Sequence, residues 1–558
     1  MISRAHGALS LHSRPPTWRY VLEVLIVLAI FAAQAPWGVP DSNEPHYLAK
    51  ARHYWDSSWL PGDRVLDTAD THFGFYLAFG WVTRWLSLEQ AAWAGRLLTW
   101  GLLAWAWTRL SWRVVPRAWM APASAGLFVA MLGRAEMAGE WILGGCEAKG
   151  FAYVLVFFGL GSLVRGGWNA AWLFFGAAAA FHVLVGGWCC VAAAVAWLVL
   201  GRHERSFLSM IPGMLGGAAL SLAGVLPGLA LSRGVTPDEA AQANEIQVYE
   251  RLSHHLYFPW FAKATIDAHL FWAALWALFL ATVYLASRWP AGDAPKWYWP
   301  LGWFTPGRLR GRLLGRRGWK LHALVAGALT ISVLGVLLAV YVKFTTRHEG
   351  GQILHSRLGT SLLRFYWFRL GDIMLPAGVA LAVARMAAAG PARGRSYLAP
   401  LAIVLCLGVA HLGLMKHQAS PPPAFREGPA ESYADWRQAC QWAKESTPAD
   451  AVFLIPMDST TFRWYAERAD VANFKDMPQD PKSLLEWWNT LIDLHYDSSS
   501  KQFRSSLSER TSTELRRMGE KYGATYLLSE AEPPVDLPVE HKNGWFVIYR
   551  LDAGAAAK

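Results

Sequence analysis

Charge is scarce in this sequence. Lys, Arg, Asp and Glu make up 17% of its 558 residues, below the roughly 25% usual for a soluble globular chain. That shortage excludes a single solvated globule of this length. Cysteine is scarcer still: Cys146, Cys189, Cys190, Cys406 and Cys440 show no metal-ligand spacing, and three of them lie inside apolar runs. They provide neither a disulfide framework nor a zinc motif. A glycine-rich phosphate loop and an internal repeat are both missing, which removes the nucleotide-binding and solenoid readings. What is plentiful is hydrophobic residues (54%) and tryptophan (32 residues). Tryptophan favours the bilayer interface, so the composition describes a polytopic membrane protein with many helix ends among headgroups.

The formal charge of +11 does not point to nucleic acid. Residues 420–558 hold 16 Lys and Arg against 21 Asp and Glu, so the excess positive charge lies between the hydrophobic segments. Apolar runs predict about eleven spans, near 20–38, 91–110, 118–133, 150–165, 169–185, 187–201, 207–231, 264–287, 321–342, 370–388 and 397–415. The first is read as a span rather than a cleaved leader. With the N-terminus cytoplasmic, the basic clusters Arg109 to Arg117, Arg202 and Arg205, the loop 288–320 and Arg385 to Arg395 all fall inside, as the positive-inside rule requires. Residues 73–87 are apolar but short, and read as an interfacial helix rather than a twelfth span. After Pro421 the composition becomes that of a soluble domain, with a helix over 436–443 and strands over 451–456, 524–528 and 545–551. The expected fold is an α-helical polytopic membrane domain (1–419, with an extracytoplasmic loop 39–90) followed by a small extracytoplasmic α/β domain (420–558), in the cytoplasmic membrane.

Four outer-side segments carry polar residues that packing does not require. The first span runs straight into Asp41, Glu44, His46 and Tyr47, with Asp63, Asp67, Asp70 and His72 further along. A carboxylate there reaches water and a lipid headgroup together and can deprotonate an acceptor hydroxyl; a solvated loop leading into a helix at Glu44 is the plainer alternative. The second segment holds Glu136, Glu140, Glu147 and Lys149 between two spans, where acids are costly unless they line a cavity, or unless Glu147 simply pairs with Lys149. The third holds Glu245, Glu250, Arg251, His254 and His255. Adjacent histidine side chains diverge, so substrate contact or interface anchoring is favoured there over a metal site. The fourth gathers Lys343, Arg347, His348, Arg357, Arg364 and Arg369 on a side that should be poor in positive charge. An anionic group such as a lipid phosphate suits that cluster, the alternative being snorkelling arginines and an Arg369–Asp372 pair.

Asn43-Glu44-Pro45-His46-Tyr47, then His72 to Tyr76, then Ala94-Gly95-Arg96-Leu97-Leu98 follow the order and spacing seen in the GT-C class of membrane glycosyltransferases, which the first 115 or so residues resemble. GEWILGGCEAKG, YERLSHHL and LLRFYWFRLGDIMLP are similar to segments of a bacterial multi-pass membrane family of planctomycete type. The GT-C resemblance implies a polyprenyl-phosphate-linked sugar donor, an extracytoplasmic acceptor, the bilayer as surroundings, and inverting transfer with an acidic base. Asn43 stands where that class carries its catalytic Asp, so the role falls to the adjacent Glu44, with Asp41, two residues upstream, in reserve. Arg364 or Arg369 would stabilise the leaving phosphate, while Glu140 and Glu147 would orient the acceptor or help hold a divalent metal ion, the one cofactor left open. A transporter or flippase, or a non-catalytic assembly factor, are the alternative functions; acids concentrated at one face and the absence of repeated halves weigh against transport.

Overall fold

A computed structural model describes residues 15–35, 37–132, 137–200, 204–257, 266–288, 315–349, 352–389, 408, 411, 413 and 421–552. Helix dominates up to residue 389, because a backbone in hydrocarbon must satisfy its own N–H and C=O groups. The chain passes through α1 (Thr17–Gln34), α2 (Glu44–Trp55), α3 (Phe73–Ala78), α4 (Leu88–Val114), α5 (Met120–Met131), α6 (Ala148–Val164), α7 (Trp168–Phe181), α8 (Val183–Leu200), α9 (Ile211–Ala230), α10 (Pro237–Glu245) and α11 (Ser253–Leu256). Helices Ile266–Arg288, Gly315–Thr345, Arg357–Leu363 and Arg369–Ala389 follow.

Every span expected between residues 20 and 388 falls on a helix; the one expected at 397–415 lies outside the described residues. Among the described residues, five helices are long and apolar enough to cross a membrane: α1, α8, Leu208–Ala230, Gly318–Thr345 and Arg369–Ala388. The expected count of eleven is therefore not reached on length and composition alone, since α5, α6 and α7 are apolar but shorter. Segment 73–87 forms the six-residue α3 and a 3-10 turn, Gly80–Arg84, neither long enough to span.

Two devices hold the bundle together. α6 is buried along almost its whole length and packs against α4 and α7. α7 and α9 approach closely, because a Cβ on Gly176 would stand 2.0 Å from the carbonyl oxygen of Gly217. Small residues at a helix contact allow backbones to meet where hydrophobic burial gives little drive. The acid inside α1, Glu23, is fully buried and accepts hydrogen bonds from Trp112 Nε1 and Trp119 N, both at 2.8 Å.

The C-terminal region builds a five-stranded sheet in the order β4-β3-β7-β9-β8. Its strands are β3 (Val452–Leu454), β4 (Ala469–Asp470), β7 (Tyr526–Glu530), β8 (Val539–Lys542) and β9 (Phe546–Arg550). The two-stranded pairs β1 (Arg347–Glu349) with β2 (Gln352–Leu354), and β5 (Tyr496–Asp497) with β6 (Gln502–Phe503), lie apart from it. β3 runs parallel to β4 and β7, whereas β9 is antiparallel to β7 and β8. Both faces are covered: Phe453, Phe546 and Ile548 pack with Trp436 on one side, Leu454, Leu527 and Val547 with Leu515 and Met518 on the other. Double burial explains the unbroken apolar runs read as strands. The polar edge strands β4 and β8 carried no such signal.

Candidate active site

Around the acidic lip, side chains and backbone from α2, α4 and the loop before α6 meet the first residues of the C-terminal region. A cluster of ionisable groups sits there. α2 begins at Glu44 with Pro45 in its first turn, as expected, but Asn43 makes no side-chain cap. Its amide instead donates to Glu147 Oε2 at 3.3 Å.

Glu44 is fully buried beside Arg96, which is also fully buried. Arg96 Nε donates to Glu44 Oε1 (2.7 Å) and Arg96 Nη2 to Oε2 (2.6 Å), while Cys146 N and Asp41 N each donate at 2.7 Å. Both carboxylate oxygens thus accept two hydrogen bonds. The expected role of Glu44 as base does not fit this geometry, because its lone pairs are committed and its charge holds Arg96 inside a span. Gly145 allows the loop to cover the pair: a Cβ there would fall 2.6 Å from Glu44 Cγ and 2.8 Å from Asp41 Cβ.

Asp41 has a different environment. It is 5% exposed, and each of its oxygens accepts one backbone bond, from Ser42 N (2.7 Å) and from Gly145 N (2.6 Å). Burial, then the nearby charge of Glu147, pushes its carboxyl above the usual range. A carboxylate raised toward neutrality with lone pairs left over has the properties of a general base.

Glu147 accepts from Trp141 Nε1 at 3.3 Å and pairs with Lys149 at 3.3 Å, the simple pairing the sequence allowed. Lys149 Nζ also stands 3.5 Å over the Trp141 ring. Glu140 forms an ion pair with Arg369 (Nε to Oε2, 2.9 Å), and its Oε1 is buried with no hydrogen-bond partner among the described residues. Arg369 Nη1 donates to His182 Nε2 at 3.0 Å, and His182 lies ring to ring with His72 at 5.9 Å. Tyr47 Oη and His72 Nε2 are in hydrogen-bond contact at 3.3 Å. Burial drives His72 down to about 4, so it is neutral at physiological pH.

Not every expected residue joins this cluster. Arg364 donates to Asn244 Oδ1 at 3.2 Å, so of the two arginines proposed for one role only Arg369 faces the acids. Arg347 is exposed on β1 of the hairpin. His254 and His255 do not diverge: their rings lie 3.9 Å apart, and His255 also packs on Gly139, held open by a positive φ of +60°. Glu136 lies outside the described residues. Among those described, no group of three or more His, Cys, Asp or Glu is placed to share a metal ion. Glu44, Glu140 and Glu147 each face a cation, Arg96, Arg369 and Lys149 respectively.

The C-terminal region supplies residues that sequence reasoning passed over. Ala424 N donates to Pro40 O (3.2 Å) and Ser42 Oγ to Pro423 O (3.4 Å), which threads the first tail residues along the lip. Arg251 Nε donates to Phe474 O (2.8 Å) and Nη2 to Lys475 O (3.1 Å). Burial, then the charges of Arg251 and Arg426, pulls Lys475 down to about 8 against the opposing pull of Glu147 and Asp476. His254 is likewise lowered by burial and by Arg251, Lys475 and Arg426. Arg251, Arg426 and Lys475 thus act on one another as like charges. Glu147 lies within electrostatic reach of both Asp41 and Lys475.

One charged node anchors the arrangement. Buried Arg463 pairs with Asp63, with Asp470 at 2.9 Å and with Asp476. Asp476 also contacts His46 Nδ1 at 3.2 Å; against the effect of burial, that contact and the Arg463 charge hold it well below the usual carboxylate range. Gln479 Nε2 donates to His72 Nδ1 at 3.2 Å. No local motif marks Lys475 or Asp476. Arg96 was detectable, because an arginine inside an apolar run needs a buried partner.

Residues 434–494 match a family model described as a domain of unknown function, DUF6798. No curated protein matches the sequence. Among solved structures, the chain is similar to the Archaeoglobus fulgidus oligosaccharyltransferase in complex with Zn and sulfate, with a TM-score of 0.43 and 12% identity over 92% of this chain and 68% of that one. The archaeal oligosaccharyltransferase AglB from Archaeoglobus fulgidus, in complex with an inhibitory peptide and a dolichol-phosphate, gives 0.42 and 12% over 92% and 69%. ArnT from Cupriavidus metallidurans bound to undecaprenyl phosphate gives 0.44 and 13% over 95% and 97%.

Proposed function

We propose that this chain is a membrane glycosyltransferase that moves a sugar from a polyprenyl-phosphate donor to an acceptor hydroxyl on the extracytoplasmic side. The observation that carries the reading is Asp41, a buried carboxylate whose oxygens each accept only one backbone hydrogen bond; Glu147, within electrostatic reach of both Asp41 and Lys475, links it to the cations Arg251, Arg426 and Lys475. Asp41 takes the proton of the acceptor hydroxyl, whose oxygen forms a bond to the anomeric carbon. The bond from that carbon to the phosphate oxygen breaks, and the phosphate departs with the electron pair and the lipid. Lys475 and the two arginines stabilise the charge that develops there, in surroundings where fixed cations act more strongly than in water. Attack opposite the leaving group inverts the anomeric centre. Glu44 acts through Arg96 and the Gly145 loop as a positioning residue.

Glu140 Oε1, buried and without a hydrogen-bond partner among the described residues, orients a sugar or acceptor hydroxyl beside Arg369. The test uses the full-length protein in detergent with a panel of polyprenyl-phosphate sugars and membrane extracts as acceptor source. Transfer from one donor is expected, with Lys475→Ala raising the donor KM and Asp41→Asn lowering kcat by about 10²–10⁴. Full turnover in Asp41→Asn removes the mechanism.

A further inference from the structure

A second concave site lies beside the cationic group and is not used by the chemistry above. It is a groove of about 1140 Å³ between the turn Ile246–Arg251, the β1–β2 hairpin and the helix Pro481–His495. Small-molecule pockets usually fall near 300–1,000 Å³. This one has room for a ligand of several units.

Its walls combine ring faces with side-chain amides and carboxylates. Tyr249 is held flat by stacking on His355 at 3.8 Å between centroids and by its hydroxyl against Thr360 Oγ1 at 2.9 Å. Trp488 is half-buried and packed against Phe503 at 5.4 Å. Both rings are thus fixed before any ligand arrives. Gln242, Glu250 and Asn489 also line the groove; all three are exposed and, among the described residues, their side chains have no hydrogen-bond partner in the protein. Amide side chains donate and accept together, which matches vicinal hydroxyls that do the same. Two carboxylates, Glu245 and Glu250, face one ammonium, Lys343, so the lining disfavours a polyanion and is too weakly charged to select a polycation.

We infer that this groove binds a neutral oligosaccharide, which under the glycosyl-transfer reading is the acceptor. The turn Ile246–Arg251 connects the two sites. It is a π turn, in which an extra residue re-aims successive side chains. Tyr249 and Glu250 face the groove, while Arg251 reaches Phe474 O and Lys475 O on the phosphate side. The groove and the charged group are therefore separated by a single turn of backbone.

The identity of the ligand as acceptor rests on the transferase reading, whereas binding does not, so binding is measured without donor. Full-length protein in detergent is titrated with cello-, malto-, chito- and manno-hexaose, following tryptophan fluorescence and, separately, heat of binding. At least one hexaose is expected to bind, and Gln242→Ala/Asn489→Ala to weaken it roughly ten-fold, the loss of one or two hydrogen bonds, with an unchanged unfolding temperature. Tyr249→Ala provides a second variant through the opposite wall. No binding by any of the four, unchanged affinity in the double variant, or Gln242- and Asn489-dependent binding of a peptide library or of heparin hexasaccharide in their place overturns the inference. Hexaose binding in a protein that transfers no sugar upholds the groove and defeats the transferase reading alone.

Discussion

Replacing Glu44 with glutamine distinguishes a carboxylate that reacts from one that holds the site together. In the folded protein its two oxygens accept four N–H groups, two from Arg96 and one each from Cys146 and Asp41. Glutamine keeps one oxygen and turns an amide N–H₂ against the other two donors. It also leaves the fully buried Arg96 guanidinium without its counter-charge. Removing one partner of such a pair costs about 3–5 kcal/mol, against whole-protein stabilities of roughly 5–15 kcal/mol. Glu44→Gln should therefore show reduced folded yield and a lower unfolding temperature by tryptophan fluorescence in detergent. Glu44→Gln/Arg96→Met should recover part of the loss, since replacing both buried charges with apolar groups is often neutral. Asp41→Asn loses at most one backbone contact, about 1–2 kcal/mol, yet should abolish most transfer. A Glu44→Gln protein that unfolds at the wild-type temperature but transfers no sugar would refute the reasoning and return the base to Glu44.

Two further predictions concern the cationic group and the charged node. Lys475 titrates near 8 in the folded protein and is charged below that value, so its protonated share falls from roughly nine-tenths at pH 7 to one-tenth at pH 9. A phosphodiester donor keeps one charge across that window; the donor KM should rise from pH 7 to 9 in the wild type and stay flat in Lys475→Arg, whereas a flat wild-type profile contradicts the assignment. Arg463→Met removes the guanidinium that pairs with Asp63, Asp470 and Asp476 and leaves the three acids to repel one another. It should destabilise the protein by about 3–5 kcal/mol and make the 421–552 region sensitive to limited proteolysis, and wild-type resistance would count against the node as the anchor of that region.

The positions of the helices were legible because the bilayer imposes long apolar runs, and the doubly buried strands β3, β7 and β9 announced themselves in the same way. The edge strands did not, since a polar strand gains its stability from neighbours that local sequence does not name. The acidic lip was legible as an expensive polar segment at the end of a span, but the division of labour within it was not. Glu44 and Asp41 are three residues apart in sequence, and nothing local distinguishes them. What does so is Arg96 from α4 and the backbone of Gly145 and Cys146, which enclose one carboxylate and leave the other with lone pairs to spare.

The sequence by itself determined that this is a helical membrane chain with its polar chemistry gathered at one set of span ends, because hydrophobic length and charge placement are local properties. Tertiary structure alone decided which charges meet. Lys475 and Asp476 come from a region read as an appended domain, and Arg251 from a loop some 225 residues away in the chain. Arg251 is held there by the backbone carbonyls of Phe474 and Lys475, and Asp476 by Arg463 and His46, partners that buried polar groups find through space rather than along the chain.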